Sequence, residues 1–253
     1  MRRIKIEVMY EGTNFVGFQV QPKGESVQST LESALEKVLG EKVRVVASGR
    51  TDAGVHAICQ VCHFDTKNTV AKMDNIVRGT NIYLPAEVKV ISATEVDKNF
   101  HAKNSAKKKT YQYFCYLSKT PLPLFENRAM QVGFDVDVEN MQKAAKFLVG
   151  KHDFSSFCAA NSGRNDFVRN VLSIEIRQAQ LLGFDLIVFE ICGEGFLYRM
   201  VRNIVGTLLE VGRGKRSAKD VKEILEAKDR KKAGRTAPAC GLYLTNVNYI
   251  TRG

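Results

Sequence analysis

The stretch Gly49-Arg50-Thr51-Asp52-Ala53-Gly54-Val55-His56-Ala57 sets an acid in a loop bracketed by glycines. Glycine lets a backbone turn tightly and approach a ligand closely. An aspartate presented there can act as a nucleophile or a general base. The blander reading is that Asp52 completes a turn with Thr51. A second stretch runs from Phe196 to Gly206. In helical register Met200, Ile204 and Leu208 share one face, and Arg199, Arg202 and Gly206 share another. Arg202 stands among apolar neighbours, where an unpaired charge is costly. A carboxylate partner is expected, and Asp52 is the candidate. The alternative is an exposed arginine on an amphipathic helix. In a third stretch, Lys107, Lys108 and Lys109 lead into Thr110-Tyr111-Gln112-Tyr113. Lysines meet phosphates, and an aromatic ring stacks on an exposed base. Tyr111 and Tyr113 fall on one strand face. The same residues suit an ordinary strand with an aromatic core side and a solvated lysine run.

His56, Cys59, Cys62 and His63 have the types and close spacing of zinc ligands. They lie in a segment that reads as a strand. Alternation then puts Cys59 and His63 on one side and His56 and Cys62 on the other. Ligands split across two faces do not form one tetrahedron, so no metal is expected. The deaminase pattern is missing too: His56 is not followed by x-Glu, and no proline precedes Cys59. The six cysteines sit mostly among apolar neighbours and read as buried, reduced thiols.

The elements that must position these residues follow from periodicity. Strands are expected at 3–10, 43–47, 57–64, 88–96, 110–117, 171–178, 185–191 and 242–250. Helices are expected where Val27, Leu31, Leu35 and Val38 form a stripe ended by Gly40, at 138–149, at 196–211, and after a Ser217 cap. Residues 160–170, rich in Asn, Gly, Ser and Arg, read as an exposed loop. Irregular alternation of strands and helices points to an α+β fold. The run 103–109 divides the chain into halves at 1–104 and 105–253, the first with a single strong helix.

The chain has 253 residues and a formal charge of +11. A surplus of that size favours polyanions, chiefly nucleic acid. No run approaches the ~20 apolar residues of a membrane span. The alternating start, Arg2 to Ile6, lacks the continuous apolar core of a secretory signal, so a cytoplasmic location is expected.

Taken in order, these segments resemble the TruA family of tRNA pseudouridine synthases. The resemblance spans Tyr10 to Gln21, Ser26-Val27-Gln28, the Asp52 stretch, Phe100-His101-Ala102, Ser105-Ala106 and Lys109 to Tyr113. It continues through His152 to Phe157 and Met200 to Gly206, and ends at Ala237 to Leu244. Phe18 stands where the family usually has Trp. Lys103 stands where Arg is usual, keeping the charge without the planar fork.

The resemblance implies two similar halves whose mixed, mainly antiparallel sheets join around a central basic cleft, the pseudouridine synthase fold. It implies a homodimer that isomerises uridine to pseudouridine in the tRNA anticodon stem-loop, at positions 38 to 40, without cofactor or metal. In that reading Asp52 is nucleophile or base, Arg202 its partner and Tyr111 the residue against the base. Arg50, Arg199, Lys107, Lys108 and Lys109 bind substrate. The rivals are a non-catalytic RNA-binding module, a metal-dependent nucleotide enzyme, and a pseudouridine synthase for another RNA position.

Overall fold

A computed structural model of the chain describes residues 1–159 and 165–249. They fall into two compact units, one formed by Met1–Lys107 and the chain from Tyr243, the other by Lys108–Leu242. The first change of unit lies close to the boundary read from the lysine run. The C-terminal strand, which the sequence placed in the second half, groups with the first. The physical reason is a parallel pairing that a linear division cannot register.

In the first unit the chain runs β1 (Arg2–Tyr10), α1 (Val27–Leu39), β2 (Val46–Ala47), β3 (His56–Thr66), α2 (Met73–Tyr83) and β4 (Val88–Val96). The strand order is β4-β1-β3, with antiparallel pairing on both sides of β1. β2 lies antiparallel beside the far end of β3. The closing strand β10 (Leu242–Tyr249) lies parallel to the start of β3, with Tyr243 opposite His56. Ile250, the last residue of the expected strand, lies outside the described residues.

Alternation in β1 buries Ile4, Ile6 and Val8 completely. They join Phe64 of β3, Leu31 and Leu35 of α1 and Ile76 of α2 in the buried core. Each such side chain contributes roughly 1.5–3 kcal/mol of burial. Helix α1 starts at a capping box, with the Ser26 hydroxyl on the Ser29 N–H, and stops at Gly40 in the left-handed region.

Helix α2 is absent from the sequence reading. Its buried residues are Ile76 and Thr80, and its N-cap, Lys72, makes no side-chain cap bond. It therefore has neither a wide apolar stripe nor a side-chain cap at its start. It packs on α1 and β4. The Asn81 amide grips both backbone groups of Val90, each at 2.8 Å, where β4 slips register against β1.

The second unit contains β5 (Ala106–Leu117), β6 (Met130–Val132), α3 (Val138–Ala145), β7 (Gly150–Asp153), β8 (Val168–Leu181), β9 (Phe184–Gly193), α4 (Met200–Gly212) and α5 (Ala218–Ala227). Its strand order is β5-β9-β8-β7, antiparallel throughout, with β6 parallel to the end of β5. Helix α3 packs on β8, α4 and α5. Helix α5 begins at the expected Ser217 capping box. The expected loop 160–170 is corrected at its end: β8 takes in 168–170, paired with β7, and residues 160–164 lie outside the described residues.

Both units mix helices with mainly antiparallel sheet, so the α+β class read from the sequence holds. No helix among the described residues is long and apolar enough to cross a membrane.

Candidate active site

Asp52 is partly buried and sits between β2 and β3. The segment after β1 forms the bed of its loop. Gly17 makes an antiparallel bridge to Asp52, and the Phe18 N–H donates to the Thr51 carbonyl at 3.1 Å. Gly17 has φ +115°, and a Cβ there would stand 2.8 Å from the Thr51 oxygen. At Gly12 a Cβ would come within 2.1 Å of the Val55 oxygen. Both positions therefore exclude a side chain, one by backbone conformation and contact, the other by contact alone. The Val55 N–H closes the turn on the Asp52 carbonyl at 3.1 Å.

Neutral hydrogen bonds fasten the loop from below. The Tyr10 hydroxyl meets the Thr51 hydroxyl at 2.7 Å. The Gln60 amide donates to the Gly49 carbonyl at 2.8 Å, and its oxygen accepts from the Ser48 hydroxyl at 2.7 Å. His56 Nδ1 accepts the Gly12 N–H at 3.0 Å, and its ring stacks on Tyr243 at 4.5 Å. In that role Nδ1 is the bare nitrogen of the ring. Asp52 is thus the acid of a loop supported by Tyr10, Ser48, Gln60 and His56. Arg50 is exposed on the same loop.

His63 likewise accepts the Ala102 N–H at 3.1 Å through Nδ1. Burial, then the charges of Arg3 and His101, push it down to about 4. The two histidines that looked like metal ligands therefore serve backbone N–H groups. Among the described residues no three His, Cys, Asp or Glu side chains gather as metal ligands do.

In the second unit Tyr111 lies opposite Ile191 and Tyr113 opposite Phe189, so both rings point to one face of β5. Tyr113 is fully buried, and Tyr111 is 8% exposed. The Tyr113 hydroxyl donates to the Pro238 carbonyl at 2.8 Å. Gly241 leaves room for the Tyr113 ring, which a Cβ would approach to 2.7 Å. Arg202 is partly buried on α4. Its Nε donates to the Ala237 carbonyl at 2.7 Å, and the Ala237 N–H returns a bond to the Arg202 carbonyl at 3.1 Å. The strap 237–241 is therefore clasped by Arg202 and Tyr113 together. Gly206, one turn on, passes under the Arg235 carbonyl, where a Cβ would come to 1.8 Å.

The expected helix at 196–211 begins only at Met200. Arg199 is its N-cap, in the left-handed conformation at φ 57°, so it does not share a helical face with Arg202. It is exposed, with its guanidinium 4.9 Å from the Tyr198 ring. Lys107 and Lys108 are exposed at the start of β5, and Lys109 is partly buried opposite Gly193.

Tyr10, His56 and Gln60, which hold the acid loop, were not assigned that role from the sequence. Their signal was the close pair Gly12 and Gly17 just after a strand. Such glycines ask which backbone approaches them.

Comparisons with known proteins agree with this arrangement of segments. The family model described as tRNA pseudouridine synthase matches residues 6–104 and 144–250. The tRNA pseudouridine synthase A of Anoxybacillus flavithermus is 47% identical over 250 residues, covering 98% of this chain and 99% of that one. Its counterpart from Brevibacillus brevis is 46% identical over 251 residues, covering 98% and 100%. That from an Exiguobacterium species is 44% identical over 249 residues, covering 98% of each. On this full-length agreement, the chain belongs to the tRNA pseudouridine synthase family.

Proposed function

We propose that this protein isomerises uridine to pseudouridine in tRNA, with Asp52 as the essential carboxylate. The carrying observation is the Asp52 loop, which two glycine contacts and a set of uncharged bonds hold in one shape. A loop held so firmly around a single acid suits a group that must meet one sugar carbon.

The reaction breaks the bond from N1 to C1′, turns the uracil, and joins C5 to C1′. The proton leaves C5, and N1 ends protonated. Nothing is oxidised or hydrolysed, so neither cofactor nor metal is needed. Asp52 starts the reaction by attacking C1′ or by taking a proton from C2′. Deuterium at C2′ separates the routes, because only the second breaks that bond. Arg202 pairs with Asp52 and keeps it charged and oriented. Tyr111 packs on the target base and takes part in proton transfer from C5.

A stem uridine must leave its stack, which costs a few kcal/mol. Backbone contacts from Lys107, Lys108, Lys109, Arg50 and Arg199 offset part of that. The substrate site is the anticodon stem-loop at positions 38 to 40, bound by a homodimer in the cytoplasm. Incubation with unmodified tRNA, followed by chemical mapping of pseudouridine, tests the reading. Modification at positions 38 to 40 supports it. Modification elsewhere refutes the site, and none in any tRNA leaves an RNA-binding module.

A further inference from the structure

The segment between β9 and α4 carries an aromatic side chain that no role above uses. Phe196 sets its ring 5.2 Å from that of Tyr111, with the planes at 87°. Perpendicular rings at this spacing are a favoured aromatic pair. The seat for Phe196 is Gly193. A Cβ there would stand 3.0 Å from the Phe196 ring tip and 3.0 Å from the Asn170 carbonyl. Gly193 lies opposite Lys109, and Ile191 lies opposite Tyr111. Seat and Tyr111 are thus diagonal neighbours on paired strands.

The segment is pinned on both sides of Phe196. The Glu194 N–H donates to the Asn170 carbonyl at 3.1 Å, and the Tyr198 carbonyl accepts the Ala159 N–H at 3.0 Å. Arg199 then turns the chain into α4 through a left-handed residue. Side chains outside glycine occupy that region at a cost and tend to mark functional turns.

We infer that Phe196, seated on Gly193, is a positioning residue that fixes the plane of the Tyr111 ring for the target uracil. The inference rests on the role proposed for Tyr111. Its mechanical half, the holding of the ring, stands apart from activity. Removal of Phe196 takes away one wall of the Tyr111 ring, so the base meets a less fixed surface in the chemical step while tRNA still binds through its backbone.

The test has one arm for each half. Tyrosines are replaced throughout by 3-fluorotyrosine, and the Tyr111 fluorine signal is identified by its loss in Tyr111→Phe. A held ring shows its two orientations as separate lines, and Phe196→Ala merges them into one. An unchanged spectrum in Phe196→Ala overturns the inference, whatever the enzyme does. In the second arm, Phe196→Ala lowers the single-turnover rate at saturating tRNA by about 10- to 100-fold, with affinity within about threefold. Gly193→Ala lowers it by pushing the ring aside, and thermal melting confirms that both variants fold. In a Tyr111→Leu background, Phe196→Ala has no further effect on the rate, because the two act as a unit. Additive losses overturn the inference. Wild-type protein that forms no pseudouridine sinks the proposed function, and the fluorine arm still decides whether Phe196 holds Tyr111.

Discussion

The acid and its expected partners are built in opposite ways. Asp52 sits on an irregular loop whose shape comes from backbone approaching backbone, at Gly12 and Gly17, and from uncharged side-chain bonds. Tyr111 and Arg202 sit on a regular strand and a regular helix, placed by packing and by one strap. The difference shows where each construction is vulnerable. The loop fails when a single side chain is added where none fits. The strand and helix have tight approaches of their own, at Gly206 and Gly241, but depend besides on packing.

The largest expected effect is at the acid itself. Asp52→Asn keeps the shape of the side chain and removes the charge. Single-turnover assays should show a loss of at least about a thousandfold, with tRNA binding within a few-fold. Near-normal turnover in that variant would remove the basis for contrasting the two regions.

Next come the glycines. Gly12→Ala and Gly17→Ala both force the loop away from its bed, by overpacking worth about 1–3 kcal/mol or more. Denaturant unfolding should show that loss, and activity should fall further than stability alone explains. Gly206→Ala, on the helix side, forces the chain at Arg235 and Ala237 off α4. It should cost similar stability, but it shifts Arg202 through the Ala237 bond rather than the acid loop, so its activity loss should be smaller than that of Gly17→Ala. Equal activity losses in the folded Gly17→Ala and Gly206→Ala proteins would mean that the two regions do not differ in the way described.

A third expectation concerns His63, which is held neutral as the acceptor for the Ala102 N–H. Its folded value of about 4 lies below the ~6.5 of an exposed histidine. Between these values the unfolded chain binds the proton and the folded chain does not. Stability therefore falls as pH drops through that window, by at most about 3 kcal/mol. Unfolding at a series of pH values checks this, and His63→Gln should flatten the dependence. A flat profile in the parent protein would refute it.

The smallest effect is at Tyr10→Phe. It removes one hydroxyl and leaves the buried Thr51 hydroxyl without that partner, for about 1–2 kcal/mol. Chemical denaturation measures it, and no change would mean the bond does not support the loop.

Much of the framework was legible beforehand because it rests on local rules. Strand β4 spans the residues its alternation marked. Helix α5 begins at the serine read as its cap, and α1 ends at the expected glycine. Helix α2 was not legible, because it lacks a cap bond and buries only Ile76 and Thr80. The start of α4 was misplaced because the apolar period of Phe196 and Leu197 continues smoothly into Met200. Only backbone geometry reveals the left-handed turn at Arg199. For the site, residue types and glycine spacing singled out the Asp52 loop. What holds it involves residues far apart in the chain, such as Tyr10 with Thr51 and Gln60 with Gly49.

By itself, then, the order of residues determined the α+β class, the family motif around Asp52 and the basic surplus, since these depend on periodicity, identity and charge. Tertiary structure alone decided that the last strand joins the first unit, that His56 and His63 serve backbone N–H groups, and that Gly12, Gly17, Gly193 and Gly206 each face a neighbour too close for a side chain. Those outcomes depend on which distant atoms come within about 3 Å of one another, and no short-range pattern along a chain encodes that distance.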